Sequence, residues 1–110
     1  MPREKFKTLT EQMFYILLCL NRECRGVDIL EMVRTITAGR VSIGSGTLYD
    51  LLEQFSSEGM IEETRADGRR RSYIITEKGK QMLEQEYQRI RAQAADYEHM
   101  AGKGDSLWVQ

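Results

Sequence analysis

At 110 residues, with 41% hydrophobic and 30% charged side chains, the chain has the length and composition of one soluble globular domain, which excludes a disordered polymer. The net charge of −1, from 16 basic and 17 acidic residues, excludes a uniformly basic protein, so any basic surface has to be local. The longest apolar run, Met13 to Leu20, is too short to span a bilayer and no signal-peptide pattern precedes it, so a cytoplasmic protein without membrane contact is expected.

Residues 1–7 read as a short arm of mixed charge. Thr8 with Glu11 three residues later has the form of a capping box, and predicts a helix from there to about Asn21. Met13 to Leu20 is apolar all round, which requires cover on more than one side. Cys19 lies in this run as a small core residue; a disulfide to Cys24 would have to join a helix to the turn just after it, and none is expected. Gly26 reads as a break, followed by a second helix over 27–38. Ile29, Met32, Val33 and Ile36 give it one apolar face, Leu30 broadens that face, and Gly39 stops the helix. A third helix is predicted with Ser45 as its N-cap, a buried stripe of Leu48, Leu51, Leu52 and Phe55, and Gly59 at its end. Residues 60–65 and 71–75 read as two strands joined by a turn at Asp67-Gly68. Thr76 then caps a fourth helix to about Tyr97, in which Leu83, Tyr87, Ile90, Ala94 and Tyr97 recur at spacings that make a seam. The expected fold is mainly α with a small β-hairpin: a winged helix-turn-helix over 1–75, a dimerisation helix over 76–100, and a flexible tail over 101–110.

Two short helices followed by an arginine-tipped hairpin suit DNA. The third helix can enter a major groove, and the free amides at its start attract phosphate. Ser45, Gly46 and Thr47 are small enough for close approach there, and Tyr49 adds a longer donor. Arg69, Arg70 and Arg71 form the densest basic cluster of the chain and reach for phosphate or the minor groove. Asp50 and Glu53 oppose this through repulsion, unless they face sideways or accept from cytosine. The stripe of the fourth helix could pack within one chain, but with no later element to cover about twenty residues a second copy of the chain is the better explanation. The expected dimer interface is Phe14, Leu18, Leu83, Tyr87, Ile90, Ala94 and Tyr97. With His99 the single histidine and no paired cysteine motif, neither a metal nor a cofactor is expected, and no catalytic residues are assigned.

The stretch Leu9 to Leu18 resembles the first helix of PadR-family transcriptional regulators. Gly46-Thr47-Leu48-Tyr49, then Leu51-Leu52 and Glu58-Gly59-Met60-Ile61, resemble the family's third helix and its exit. Asp67 to Tyr73 and Ile75-Thr76-Glu77-Lys78-Gly79 resemble its wing and the entry to its last helix. The resemblance implies a homodimeric repressor that reads a palindromic operator with the third helix and touches the backbone with the wing. It also implies a dimer built by the first and last helices, as in the family's compact branch. Some relatives bind planar aromatic compounds at the dimer interface; here that places a small aromatic effector near Phe14, Tyr15, Leu18 and Tyr87. Many relatives carry proline at the position of Ser45, and drug-binding relatives a tryptophan on the last helix, where this chain has Tyr87 and Tyr97. The alternative is a winged-helix module for protein contacts whose wing arginines bind an acidic partner; an enzyme ranks third.

Overall fold

The computed structural model describes residues 8–67 and 70–102. The order is α1 (Glu11–Cys19), β1 (Cys24–Arg25), α2 (Gly26–Ile36), α3 (Ser45–Ser57), β2 (Ile61–Asp67), β3 (Arg70–Ile75) and α4 (Glu77–Gly102). The predicted arm over 1–7 lies outside the described residues.

The start of α1 corrects the sequence reading by two residues. Thr10, not Thr8, is the N-cap: its hydroxyl accepts from the Met13 amide at 3.2 Å, and the Met13 sulfur accepts from the Thr10 amide at 3.3 Å. Leu9 explains the shift, because burying it holds the chain extended up to Thr10. The helix also stops short of Asn21, where the Leu20 amide bonds the Leu17 carbonyl at 3.1 Å and tightens the last turn.

A third strand joins the hairpin. Cys24 pairs with Tyr73 and Arg25 with Ser72, giving a sheet of order β1-β3-β2. Gly26 is therefore the first residue of α2 rather than a break. Ile29 and Val33 are fully buried as expected, but Ile36 is 51% exposed and lies outside the face assigned to it. α2 ends at Ile36 and not Ala38, because Ala38 and Gly39 turn to φ 53 and 80°. Gly39, as predicted, closes the helix, donating to the Arg34 carbonyl at 2.8 Å.

α3 buries Leu48, Leu51, Leu52 and Phe55 as its spacing requires. Its N-cap is Gly44, however, and Ser45 is the first helical residue, with no side-chain bond to the cap. β2 and β3 pair from Ile61–Ile75 out to Asp67–Arg70, longer at both strands' outer ends than expected, with an irregularity between Glu63 and Arg65. The predicted turn residue Gly68 lies outside the described residues.

Thr76 caps α4, accepting from the Gly79 amide at 3.2 Å while donating to the Gly59 carbonyl. Gly79 has a reason beyond the helix: a Cβ there would lie 2.2 Å from the Met60 carbonyl oxygen and 2.7 Å from Ile75. Backbone cannot give way as a flexible side chain does, so Gly79→Ala should destabilise the fold by about 2–3 kcal/mol. A fall in melting temperature of roughly ten degrees or more checks this; an unchanged midpoint refutes it.

One core joins α1, α2, α3 and the sheet, and Leu83 of α4 closes it. Beyond Glu86 every residue of α4 to Gly102 is exposed. The helix outruns its predicted end, so Ala101 and Gly102 belong to it; the remainder of the predicted tail lies outside the described residues. No helix among the described residues is long and apolar enough to cross a membrane.

Candidate nucleic-acid interface

The N-terminus of α3 is open. No side chain caps it, its first turn contains no acid, and Ser45, Gly46 and Thr47 are all exposed. Its leading amides therefore point outward, with the positive end of the helix dipole behind them. The link that delivers the chain to this point is tethered to α1. Gln12 donates to the Ser42 carbonyl at 3.3 Å, and Arg40 reaches Glu11 and the Tyr15 hydroxyl, each at 3.2 Å.

A cleft of about 530 Å³ separates α3 from the hairpin. Tyr49, Arg70 and Arg71 line it together, so three of the residues singled out from sequence converge on one concave surface. Arg69 lies outside the described residues. Tyr49 is 44% exposed, and its ring rests on the backbone of Gly26 at the start of α2. Asp50 is turned aside, accepting from Gln54 at 2.9 Å, whereas Glu53 does line the cleft.

Sequence reasoning missed Arg25, Val27 and Glu63 in this cleft. The pairing of Arg25 with Ser72 brings the first two beside the wing, and a two-residue strand leaves no periodic signal. Arg25 is paired with Asp28 at 3.0 Å and Arg71 with Glu63 at 3.4 Å. Both pairs are solvent-exposed and hence weak, so a phosphate can displace the carboxylates. Arg70 has no ion pair among the described residues. Burial, and then the Glu63 carboxylate, push the Tyr73 phenol above its ordinary pKa, so it stays protonated as a donor in the cleft wall.

Of the expected seam and effector site, Phe14, Tyr15, Leu18, Leu83, Tyr87 and Ile90 gather between α1 and α4, and Ala94 and Tyr97 do not. Phe14 and Tyr87 line two adjoining hollows of about 330 and 310 Å³, the first with Leu18 and Leu83, the second with Tyr15 and Ile90. Phe14 and Tyr15 meet edge to face, with centroids 5.5 Å apart. Leu83 is buried in its own chain's core, whereas Tyr87, Ile90 and Tyr97 are 43, 41 and 72% exposed and Ala94 is exposed further along the helix.

Glu86, unremarked in the sequence, is 4% exposed at the edge of the second hollow. It accepts from the Leu9 amide at 3.3 Å and from Arg89 Nε at 3.0 Å, tying the entry of α1 to α4. No apolar periodicity marks it, because it sits among the Glu, Gln and Arg positions of α4. The Arg89 hydrogen bonds hold its carboxyl below the ordinary value of 4.5, against the upward pull of burial. A depressed folded-state pKa means stability that is present above the ordinary value and lost as pH falls through the folded one. Wild type should therefore lose melting temperature on acidification below about pH 4.5, and Glu86→Gln should lack that component. Parallel pH profiles for the two proteins would remove Glu86 from the account.

Both cysteines are free thiols; burial, and then the neighbouring Cys24, push Cys19 up to about 11, which leaves it unreactive. Among the described residues no group of His, Cys, Asp and Glu could hold a metal ion.

The family model of the transcriptional regulator PadR-like family matches residues 16–85, more than half of the chain, which takes in every residue lining the cleft between α3 and the hairpin. The chain belongs to the PadR-like family. Solved structures carry the same fold. A PadR family transcription regulator from Clostridium difficile is 26% identical, with a TM-score of 0.66, over 81% of this chain and 98% of that one. A PadR family regulator from Eggerthella lenta is 17% identical with a TM-score of 0.70, over 82% and 80% of the two chains. A transcriptional regulator from Clostridium thermocellum is 24% identical with a TM-score of 0.67, over 74% and 82%. No curated protein matches the chain. Membership of the PadR-like family makes this a transcriptional regulator, with DNA binding as its mode of action. The helices, the small three-stranded sheet and the long C-terminal helix α4 together match the PadR winged-helix fold.

Proposed function

We propose that this PadR-like regulator is a sequence-specific repressor that binds a palindromic operator as a homodimer in the cytoplasm. Residues 1–75 act as the DNA-binding unit and 76–100 as the dimerisation helix. The observation that carries the reading is the cleft in which Tyr49 of α3 meets Arg70 and Arg71 of the wing, with the N-terminus of the same helix uncapped and exposed just before Tyr49. The N-terminal turn of α3 enters the major groove, where Ser45, Gly46 and Thr47 admit the DNA closely. The wing, with Arg69 beside Arg70 and Arg71, holds the flanking backbone.

The uncovered length of α4 supports the dimer. Tyr87, Ile90, Ala94 and Tyr97 stay exposed among the described residues, and Phe14 and Leu18 extend the same surface onto α1. The aromatic walls of the groove, from Phe14, Tyr15 and Tyr87, suit a flat effector whose binding releases DNA.

The test is a mobility shift with the duplex upstream of the protein's own gene, against a scrambled duplex of equal length. Preference for the upstream duplex, abolished by disrupting either arm of an inverted repeat, is expected. Equal indifference to both duplexes would transfer the wing arginines to an acidic protein partner. Titration with planar cations and phenolic acids then tests the effector: tyrosine fluorescence and operator release should change together.

A further inference from the structure

Gly26 and Tyr49 are 23 positions apart in sequence, yet the tyrosine ring lies on the glycine. A Cβ at Gly26 would stand 3.2 Å from Tyr49 Cε1 and 3.6 Å from its hydroxyl oxygen, with Leu52 Cδ1 at 3.4 Å. The first distance is tighter than an ordinary contact, so the ring or the helix must yield. Gly26 is buried at the first position of an eleven-residue helix and carries no left-handed backbone angle to justify it. Backbone conformation thus does not demand glycine, and alanine is the better helix former. What demands glycine is the space taken by a half-exposed tyrosine on another helix, at the mouth of the cleft that also holds Arg70 and Arg71.

We propose that Gly26 is a positioning residue: its missing side chain seats the Tyr49 ring so that the hydroxyl is held at the angle from which it donates to the DNA backbone and sets the register of α3. This rests on the reading of the cleft as a DNA-binding surface. Packing alone would not explain the arrangement, because a ring seated only to fill space would be covered, whereas Tyr49 keeps 44% of its surface open. Leu52, one turn on, fills the interior side of the same contact and is 1% exposed.

The experiment is a double-mutant cycle on operator affinity with wild type, Gly26→Ala, Tyr49→Phe and the double variant, each also melted thermally. Tyr49→Phe keeps the ring and removes only the hydroxyl. It should weaken operator binding about threefold to tenfold, the scale of one hydrogen bond. Gly26→Ala should lose affinity in the same range with a melting temperature equal to or above wild type. In the Tyr49→Phe background it should cost nothing more, because there is no hydroxyl left to misplace. A Gly26→Ala protein that binds as wild type, or losses that add in the double variant, would overturn the positioning role. If wild type itself binds no duplex, the DNA reading of the cleft fails first, and the two failures are told apart by that single control.

Discussion

Ile90→Asp should sediment as a folded monomer and lose operator affinity by at least a hundredfold. Ile90 is 41% exposed in its own chain, so a carboxylate there stays hydrated in the monomer and the core joining α1, α2, α3 and the sheet is untouched. In a dimer closed along α4 the same position is desolvated on both copies of a two-fold interface, and each carboxylate faces apolar partner surface. One unpaired buried charge per protomer costs several kcal/mol, which raises the dissociation constant by about a hundredfold or more. The loss propagates to DNA because two linked half-site readers gain their avidity from the link. Ile90→Ala is the control: it trims the seam without charging it, and should dimerise more weakly while still shifting DNA at higher protein concentration. The prediction is checked by sedimentation at micromolar concentration with circular dichroism on the same samples. A wild-type chain that sediments as a monomer there would falsify the dimer outright.

What the sequence showed and what it hid divide along physical lines. The stripe of Leu48, Leu51, Leu52 and Phe55 was legible because burial follows the helical period, and all four are buried. Arg70 and Arg71 were legible as a cluster, but their meeting with Tyr49 required the hairpin to fold back over α3. β1 was invisible, because two residues cannot alternate, and with it went Arg25's place in the cleft. Gly26 was misread as a break and the close approach at Gly79 was invisible, since a glycine announces flexibility in sequence and close approach only in three dimensions. Glu86 hid for a related reason: its burial depends on Leu9 and Arg89 closing over it, and no local pattern specifies that. Ser45 and Thr8 were each assigned a cap that another residue takes, one position away for Ser45 and two for Thr8.

Arg70→Ala should weaken operator and random duplex by a similar factor and flatten the salt dependence of both. Arg70 begins β3 and lines the cleft beside Tyr49, and it has no carboxylate partner among the described residues, so little is lost within the protein when it is removed. In the proposed reading its contact is to phosphate, which carries no sequence information. Each phosphate contact contributes about 0.9 to the slope of log affinity against log salt, so a symmetric dimer should lose about 2. A charge-assisted hydrogen bond is worth about 1.5–3 kcal/mol, which for two protomers is roughly a hundredfold or more at low salt, shrinking as salt rises. Tyr49→Ala should behave differently: the slope is nearly kept, while preference for operator over random duplex falls, because register is lost rather than charge. Arg71→Ala should lie between wild type and Arg70→Ala, since Arg71 gives up its pairing with Glu63 in order to bind and so contributes less net. The proposed dimer's two-fold axis adds a geometric condition, half-sites about 34 Å apart, so inserting five base pairs between them turns one half-site to the opposite face and should abolish the preference. The measurement is a salt titration of wild type and the three variants on both duplexes. An Arg70→Ala protein with unchanged affinity and slope removes the wing as a phosphate clamp; a silent Tyr49→Ala beside it would leave α3 without a reading role and make the acidic-partner module the better account of this surface.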